Sequence, residues 1–177
     1  MGACDGVLSS NTYLLEKLFK WKGILVEPAT YWHKKLKLNR NCSIETSCVY
    51  SESNKEINFR ETCSKSLSSI DKFCYLDQHS IQRKTSIKKY KVKTISLNDL
   101  FDKYNLKKID FLSIDTEGSE YEILKKFNFY KYQIKIICCE HNYNINRYKI
   151  FKLLSSEGYE REYANLSKYD DWYFKKN

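Results

Sequence analysis

The stretch "IDFLSIDTEGSEYEILKKF", Ile109 to Phe127, decides how this chain is read. An apolar run, Ile109–Ile114, leads into the carboxylates Asp115, Glu117 and Glu120, and then into Tyr121, Leu124 and Phe127 at helical spacing. That order predicts a buried strand, a loop at its carboxyl end, and a helix over Ser119–Phe127. Acids this close together repel one another and resist burial. They suit a helix start, where the helix dipole favours negative charge, or a site that uses them. The dipole accounts for Glu120, which is expected to face solvent. It does not account for Asp115, which lies at the strand mouth ahead of the helix. Glu117 is expected at the rim of a site.

Working outward, the same alternation repeats. "SSNT" offers caps for a helix over Ser9–Lys20 with Leu14, Leu15, Leu18 and Phe19 on its apolar side. Ile24, Leu25 and Val26 form a strand ended by Glu27-Pro28. A short helix is expected over Tyr31–Asn39, and β-leaning runs over Ile44–Tyr50, Glu56–Phe59 and Tyr90–Ile95. In "SLNDLFDKY" Ser96 is the N-cap and Asp99 completes a capping-box variant. Ile134–Cys139 is a buried strand, Ile145–Ser156 a helix with Gly158 past its end, and Tyr159–Tyr163 with Asp171–Lys175 a closing hairpin. Strands buried on both faces and alternating with helices indicate an α/β fold with a mostly parallel sheet. Ligands in such sheets bind beyond the carboxyl ends of the strands. Asp5, Glu27, Asp115 with Glu117, and Glu140 with His141 all fall there. The polar segment Cys63–Arg83 gives no clear pattern and is expected to contribute to the pocket or cover it.

With 177 residues and 42% hydrophobic content the chain suits one domain, residues 1–177, with a real core. The net charge of +9 admits a polyanionic partner. Its lysines are scattered, however, and no nucleic-acid recognition motif accompanies them, so nucleic acid is the weaker reading. Seven cysteines without a CxxC pair read as free thiols in a reducing, cytoplasmic compartment. No run is long and apolar enough for a membrane span. Oligomeric state is left open.

In "MGACDGVLSSNT", Gly2 and Gly6 flank Ala3 and Asp5, and small residues let a backbone approach a ligand closely. Glu27 follows about 20 residues on, a spacing at which an acid commonly accepts bonds from ribose hydroxyls. An acid inside the loop would repel a pyrophosphate. It suits S-adenosylmethionine, which carries a sulfonium and an amino group.

Taken in order, "GACDG", "SSNTYLLEK", "WKGILVEP", "NRNC", "TISLNDLF", "IDFLSIDTEGSEYEIL" and "CCEHNY" resemble the FkbM-type methyltransferases. The resemblance runs from Gly2 to about Phe174. It implies a Rossmann-like methyltransferase sheet with one reversed strand, and S-adenosylmethionine-dependent O-methyl transfer to a hydroxyl on a sugar or other small-molecule or glycan acceptor. It also implies a strand ahead of the glycine loop. Met1 stands where that strand should finish, so the expected domain is N-terminally truncated and lacks its first strand. By the resemblance, Gly2, Ala3, Asp5 and Gly6 line the methionine end of the cofactor, with Asn11 near its carboxylate. Glu27 takes the ribose, Cys48 and Val49 lie along the adenine, and Asp115 meets the sulfonium end. His141 is the candidate general base, since its ordinary pKa suits taking a hydroxyl proton. It is expected to face one cavity with Asp115, with Glu117 alongside. Asp115, Glu140 and Asn142 also offer oxygen ligands for Mg²⁺, though the reading without a metal is preferred. A second reading of different class is a decayed, non-catalytic binding module with a basic surface.

Overall fold

The computed structural model describes residues 1–75 and 77–176. In chain order its first half contains α1 (Tyr13–Lys17), β1 (Ile24–Val26), α2 (His33–Asn39), β2 (Ser43–Glu45), β3 (Cys48–Tyr50), β4 (Glu56–Thr62), β5 (Ser69–Ile70) and α3 (Ser80–Lys84). There follow β6 (Ser86–Ser96), α4 (Leu97–Lys103), β7 (Lys108–Ile114), α5 (Glu120–Leu124), β8 (Gln133–Glu140), α6 (Asn146–Ser156), β9 (Tyr159–Glu162) and β10 (Asp170–Lys175).

Three sheets are present among the described residues. Strands β1 and β2 pair in parallel, with Leu25 opposite Ile44. A four-stranded sheet has the order β7-β8-β10-β9, with β7 and β8 parallel and β10 antiparallel to both its neighbours. The third has the order β3-β6-β4-β5, in which only β3 and β6 are parallel. The architecture is therefore mixed α/β. The expectation of a mostly parallel sheet is corrected by the β4/β6 ribbon. There the chain turns back on itself through the Cys63–Arg83 region and pairs antiparallel, Ile57 opposite Val92 and Phe59 opposite Tyr90. The run Ile44–Tyr50 is likewise two strands. Ser47 donates its N–H to the Glu45 side chain (2.9 Å), and beyond that turn β3 joins β6 instead of β2.

The largest core lies around β7 and β8. Ile114, Ile134, Ile137 and Cys139 pack with Phe101, Ile123, Leu124, Leu154 and Tyr173. Phe101, Phe127 and Tyr132 meet at ring separations of 5.3–5.4 Å. Ser96 caps α4 as its sequence predicts, its hydroxyl accepting the Asp99 N–H at 3.1 Å. The α1 helix is much shorter than Ser9–Lys20 and buries none of its residues, leaving Leu14 and Leu18 exposed. All seven cysteines are free. No helix among the described residues is long and apolar enough to cross a membrane.

Among the described residues no strand lies between β1 and β7. Residues 1–3 bridge them. The Met1 amine donates to the Ser113 carbonyl (2.7 Å) and the Met1 carbonyl accepts from Asp115 N–H (3.2 Å). On the other side the N–H groups of Gly2 and Ala3 donate to the Val26 carbonyl (3.0 and 3.2 Å). This bridge sets the glycine loop beside the carboxyl ends of β1 and β7.

Candidate active site

A cavity of about 370 Å³ opens along this junction. That volume is within the usual range for small-molecule sites. Of the residues singled out in the sequence, Gly2, Ala3, Asp5, Asn11, Glu27, Cys48, Val49, Asp115 and Glu117 line it. Gly6, Glu120, Glu140, His141 and Asn142 do not.

The acidic wall comes from the loop after β7. Glu117 and Gly118 both have positive φ, +59° and +112°, so the chain turns sharply there. Glu120 folds the loop back on itself. Its carboxylate accepts from the N–H and hydroxyl of Thr116 (both 2.9 Å) and from Gly118 N–H (3.1 Å). Glu120 is 1% exposed, which corrects the expectation that it faces solvent. The N–H groups of the loop ahead of α5 have no intrahelical partners, and the inward Glu120 satisfies those of Thr116 and Gly118. Gly118 packs against Phe73, where a Cβ would stand 3.1 Å from the Phe73 Cβ.

Asp115, Glu117 and Glu140 converge, with one oxygen of each within 4.8 Å of the others. Burial raises the pKa of all three. Asp115 is pushed up to about 6, opposed by its hydrogen bond with Glu140. Glu140 is pushed well above the usual range by burial and then by repulsion from Asp115 and Glu117. Glu140 is therefore the group that keeps a proton and shares it with Asp115. Burial and Asp115 also raise Glu117, while the Arg83 guanidinium opposes them. Such a trio can share protons or hold a hard cation.

The opposite wall is the glycine loop. Asp5 is occupied locally, accepting the N–H groups of Val7 and Leu8 (2.9 Å each). Glu27 is 4% exposed and accepts Cys4 N–H (2.7 Å) and Ala29 N–H (2.8 Å), which ties the loop to the end of β1. Burial raises its pKa to about 7 despite those two bonds. The glycines make room for protein: a Cβ on Gly2 would stand 1.7 Å from the Asp115 carbonyl, and one on Gly6 would meet Leu36 and Arg40. Asn11 donates to Ser113 Oγ (3.2 Å) and Cys138 Sγ (3.5 Å), linking the loop to β7 and β8.

His141 lies apart from this cavity. Its ring packs edge-on against Tyr143, and Nε2 is 3.9 Å from Asp171 Oδ1, itself held by Arg147. Burial lowers the His141 pKa, so the ring is neutral near pH 7. Glu140, the preceding residue, is the one that β8 delivers to Asp115.

Two arginines escaped the sequence reading. Arg40 is buried and donates to Glu16 Oε2, the Gly6 carbonyl, Ser10 Oγ and the Thr12 carbonyl, fixing the course of residues 6–16. Arg83 is buried and pairs with Asp77 and Glu117. A signal for both was present. The chain uses five arginines among many lysines, at 40, 60, 83, 147 and 161, and none of the five is exposed. Arginine's planar fork suits buried pairing, whereas lysine's strongly hydrated ammonium favours the surface.

The model of the methyltransferase FkbM domain matches residues 1–161. The chain belongs to the FkbM methyltransferase family. No curated protein and no solved structure gives a match. The match takes in the glycine loop, Asp115, Glu117, Glu140 and His141 of this FkbM site, and ends before Asp171.

Proposed function

We propose that this FkbM-family chain is an S-adenosylmethionine-dependent methyltransferase that methylates a hydroxyl on a sugar or other small-molecule or glycan acceptor. One observation carries the reading: Glu27 from the end of β1, and Asp115 and Glu117 from the loop after β7, line a single cavity beside the glycine loop. Buried carboxylates suit a ligand that carries positive charge at its sulfonium and amino groups. The apolar Cys48 and Val49 on the same cavity suit an adenine face. We read the sheet as Rossmann-like, in the order β2-β1-β7-β8-β10-β9. Its position between β1 and β7 is filled only at the carboxyl end, by residues 1–3. The free thiols support a reducing, cytoplasmic setting.

When bound, the cofactor would supply an electrophilic methyl group. Glu27 would accept from the ribose, each of its oxygens retaining a lone pair beyond the N–H it already holds. Asp115 would face the positive end. Glu117 lines the cavity, and its carboxylate is held by Arg83 and Asn142. It is the carboxylate we assign to take the acceptor's proton. His141 is the second candidate for that role, through a ring movement away from Asp171. Much of the rate enhancement would come from holding the two reactants in line.

Calorimetry with S-adenosylmethionine tests the reading. Micromolar affinity is expected, and Glu27→Ala should weaken it by about 1.5–3 kcal/mol, the worth of a charge-assisted bond. A change within twofold would remove Glu27 from the site. The alternative is a non-catalytic binding module, and no binding at millimolar cofactor would select it.

A further inference from the structure

Residues 64–85 link the two long strands of the third sheet, and part of this link forms a wall of the cavity. Lys65, Ser66, Ser68 and Ile70 line it. The described residues of the link hold little regular structure: two single 3-10 turns, the two-residue β5 and the five-residue α3. Beside the packing of Phe73 against Gly118, its polar hold on the acidic loop runs through one side chain.

Arg83 has no exposed surface. Its Nε donates to the Leu67 carbonyl (3.1 Å), its Nη1 to Asp77 Oδ1 (2.5 Å) and its Nη2 to Glu117 Oε2. The guanidinium thus joins the start of the link, its middle, and the acidic loop of the cavity. Glu117 Oε2 also accepts from Asn142 Nδ2 (3.3 Å), so three segments meet on one oxygen. The backbone there is unusual. Glu117, Asn142 and Tyr143 all have positive φ, at +59°, +40° and +54°. Non-glycine residues hold that conformation when their surroundings enforce it. The fork geometry matters, because one ammonium cannot reach a carbonyl and two carboxylates lying in different directions.

We propose that Arg83 is a positioning residue for the cavity: its guanidinium seats residues 64–75 as the acceptor-side wall and fixes the Glu117 carboxylate against it. The acceptor assignment rests on the methyltransferase reading; the seating does not. Removing the fork should free the wall without unfolding the core, since none of the described residues of the link belongs to the cluster around β7 and β8.

Hydrogen exchange on the full chain tests this, with calorimetry using S-adenosylhomocysteine alongside. Arg83→Met is expected to speed exchange of amides in 64–75 and 116–119 at least tenfold, with exchange in β7 and β8 unchanged. Arg83→Lys should restore only part of the protection. Glu117→Gln keeps the side chain's size, and should loosen 64–75 because its bond toward that stretch is the one from Arg83. In the Glu117→Gln background, Arg83→Met should add less than twofold at 116–119. Ligand affinity should fall with exchange protection across the series. Unchanged exchange in 64–75 for Glu117→Gln, or full protection in Arg83→Lys, would overturn the proposal. If the wild-type chain binds no S-adenosylhomocysteine, the methyltransferase reading fails and the exchange data still decide on Arg83.

Discussion

The β7-β8-β10-β9 sheet and the β1-β2 pair are built on different terms. The first has long ladders, with six to eight residues in β7, β8 and β10, and a contiguous core behind it. The second has three residues per strand; it contributes Val26 to that core, with Ile24 packed against it, and is otherwise tied to the rest by the backbone of residues 1–3 and by polar side chains, Arg40 and Glu27. The neighbouring α1 buries nothing. Apolar packing therefore carries the stability of one region, and hydrogen bonds around an open cavity order the other. Small-molecule sites often take this form, a rigid half presenting groups to a softer half that can adjust.

The largest expected effect is in the rigid half. Ile137 in β8 has no exposed surface, and Ile137→Ala should cost about 3–5 kcal/mol in chemical denaturation, from lost transfer energy plus the cavity left behind. Leu25→Ala in β1, whose side chain already borders open space, should cost about 2 kcal/mol or less. Equal costs for the two would erase the contrast.

The next effect reads the polar half through pH. Burial first of all raises Glu27 from 4.5 to about 7, with the Ala29 and Cys4 N–H groups opposing it. Between those values the unfolded chain has released this proton and the folded chain still holds it. Folding therefore binds a proton, and stability falls as pH rises from about 4.5 to 7. The expected loss is about 3 kcal/mol, at roughly 1.4 kcal/mol per pKa unit. Asp115, also raised, adds to the same trend. Glu27→Gln should flatten the slope between pH 5 and 8 by that amount. A slope unaltered in Glu27→Gln would mean the carboxylate is ionised throughout.

The same contrast decided what could be read from sequence. The β7-α5-β8 unit was legible because its apolar periodicity and its boundaries agree, and each strand is long enough to show a pattern. The hairpin of β9 and β10, the free thiols and the Ser96 cap were legible for similar local reasons. In the soft half the determinants are distant: Arg40 acts on residues 6–16 and Arg83 on Glu117, and no local pattern marks such pairs. His141 reads as the base on its ordinary pKa; its ring lies beside Asp171 and outside the lining of the cavity, a placement set by residues distant in sequence. Glu120 was placed in solvent because helix-start acids usually lie there, whereas the tight Thr116–Gly118 turn needed an acceptor.

The smallest effect falls on α4, which belongs to both regions. Leu100 and Phe101 line the cavity, and Phe101 also packs on Phe127 and Tyr132 in the large core. Ser96→Ala removes the cap on Asp99 N–H and the hydroxyl's bond to Asp99 Oδ2 (2.8 Å), and should cost about 1 kcal/mol. Where that loss appears is informative. If α4 is anchored by its aromatic contacts, the whole 1 kcal/mol should register in global unfolding, with the cavity residues exchanging hydrogens as before. If the first turn of α4 instead belongs to the soft half, global stability should hold while amides at Leu97–Leu100 exchange about fivefold faster, 1 kcal/mol expressed locally. The first outcome is expected, because Leu97, Leu100 and Phe101 are all at most 3% exposed and sit within the same cluster as Ile137. The boundary between the rigid and adjustable halves would then run through the cavity itself, between Phe101 on one side and the glycine loop on the other.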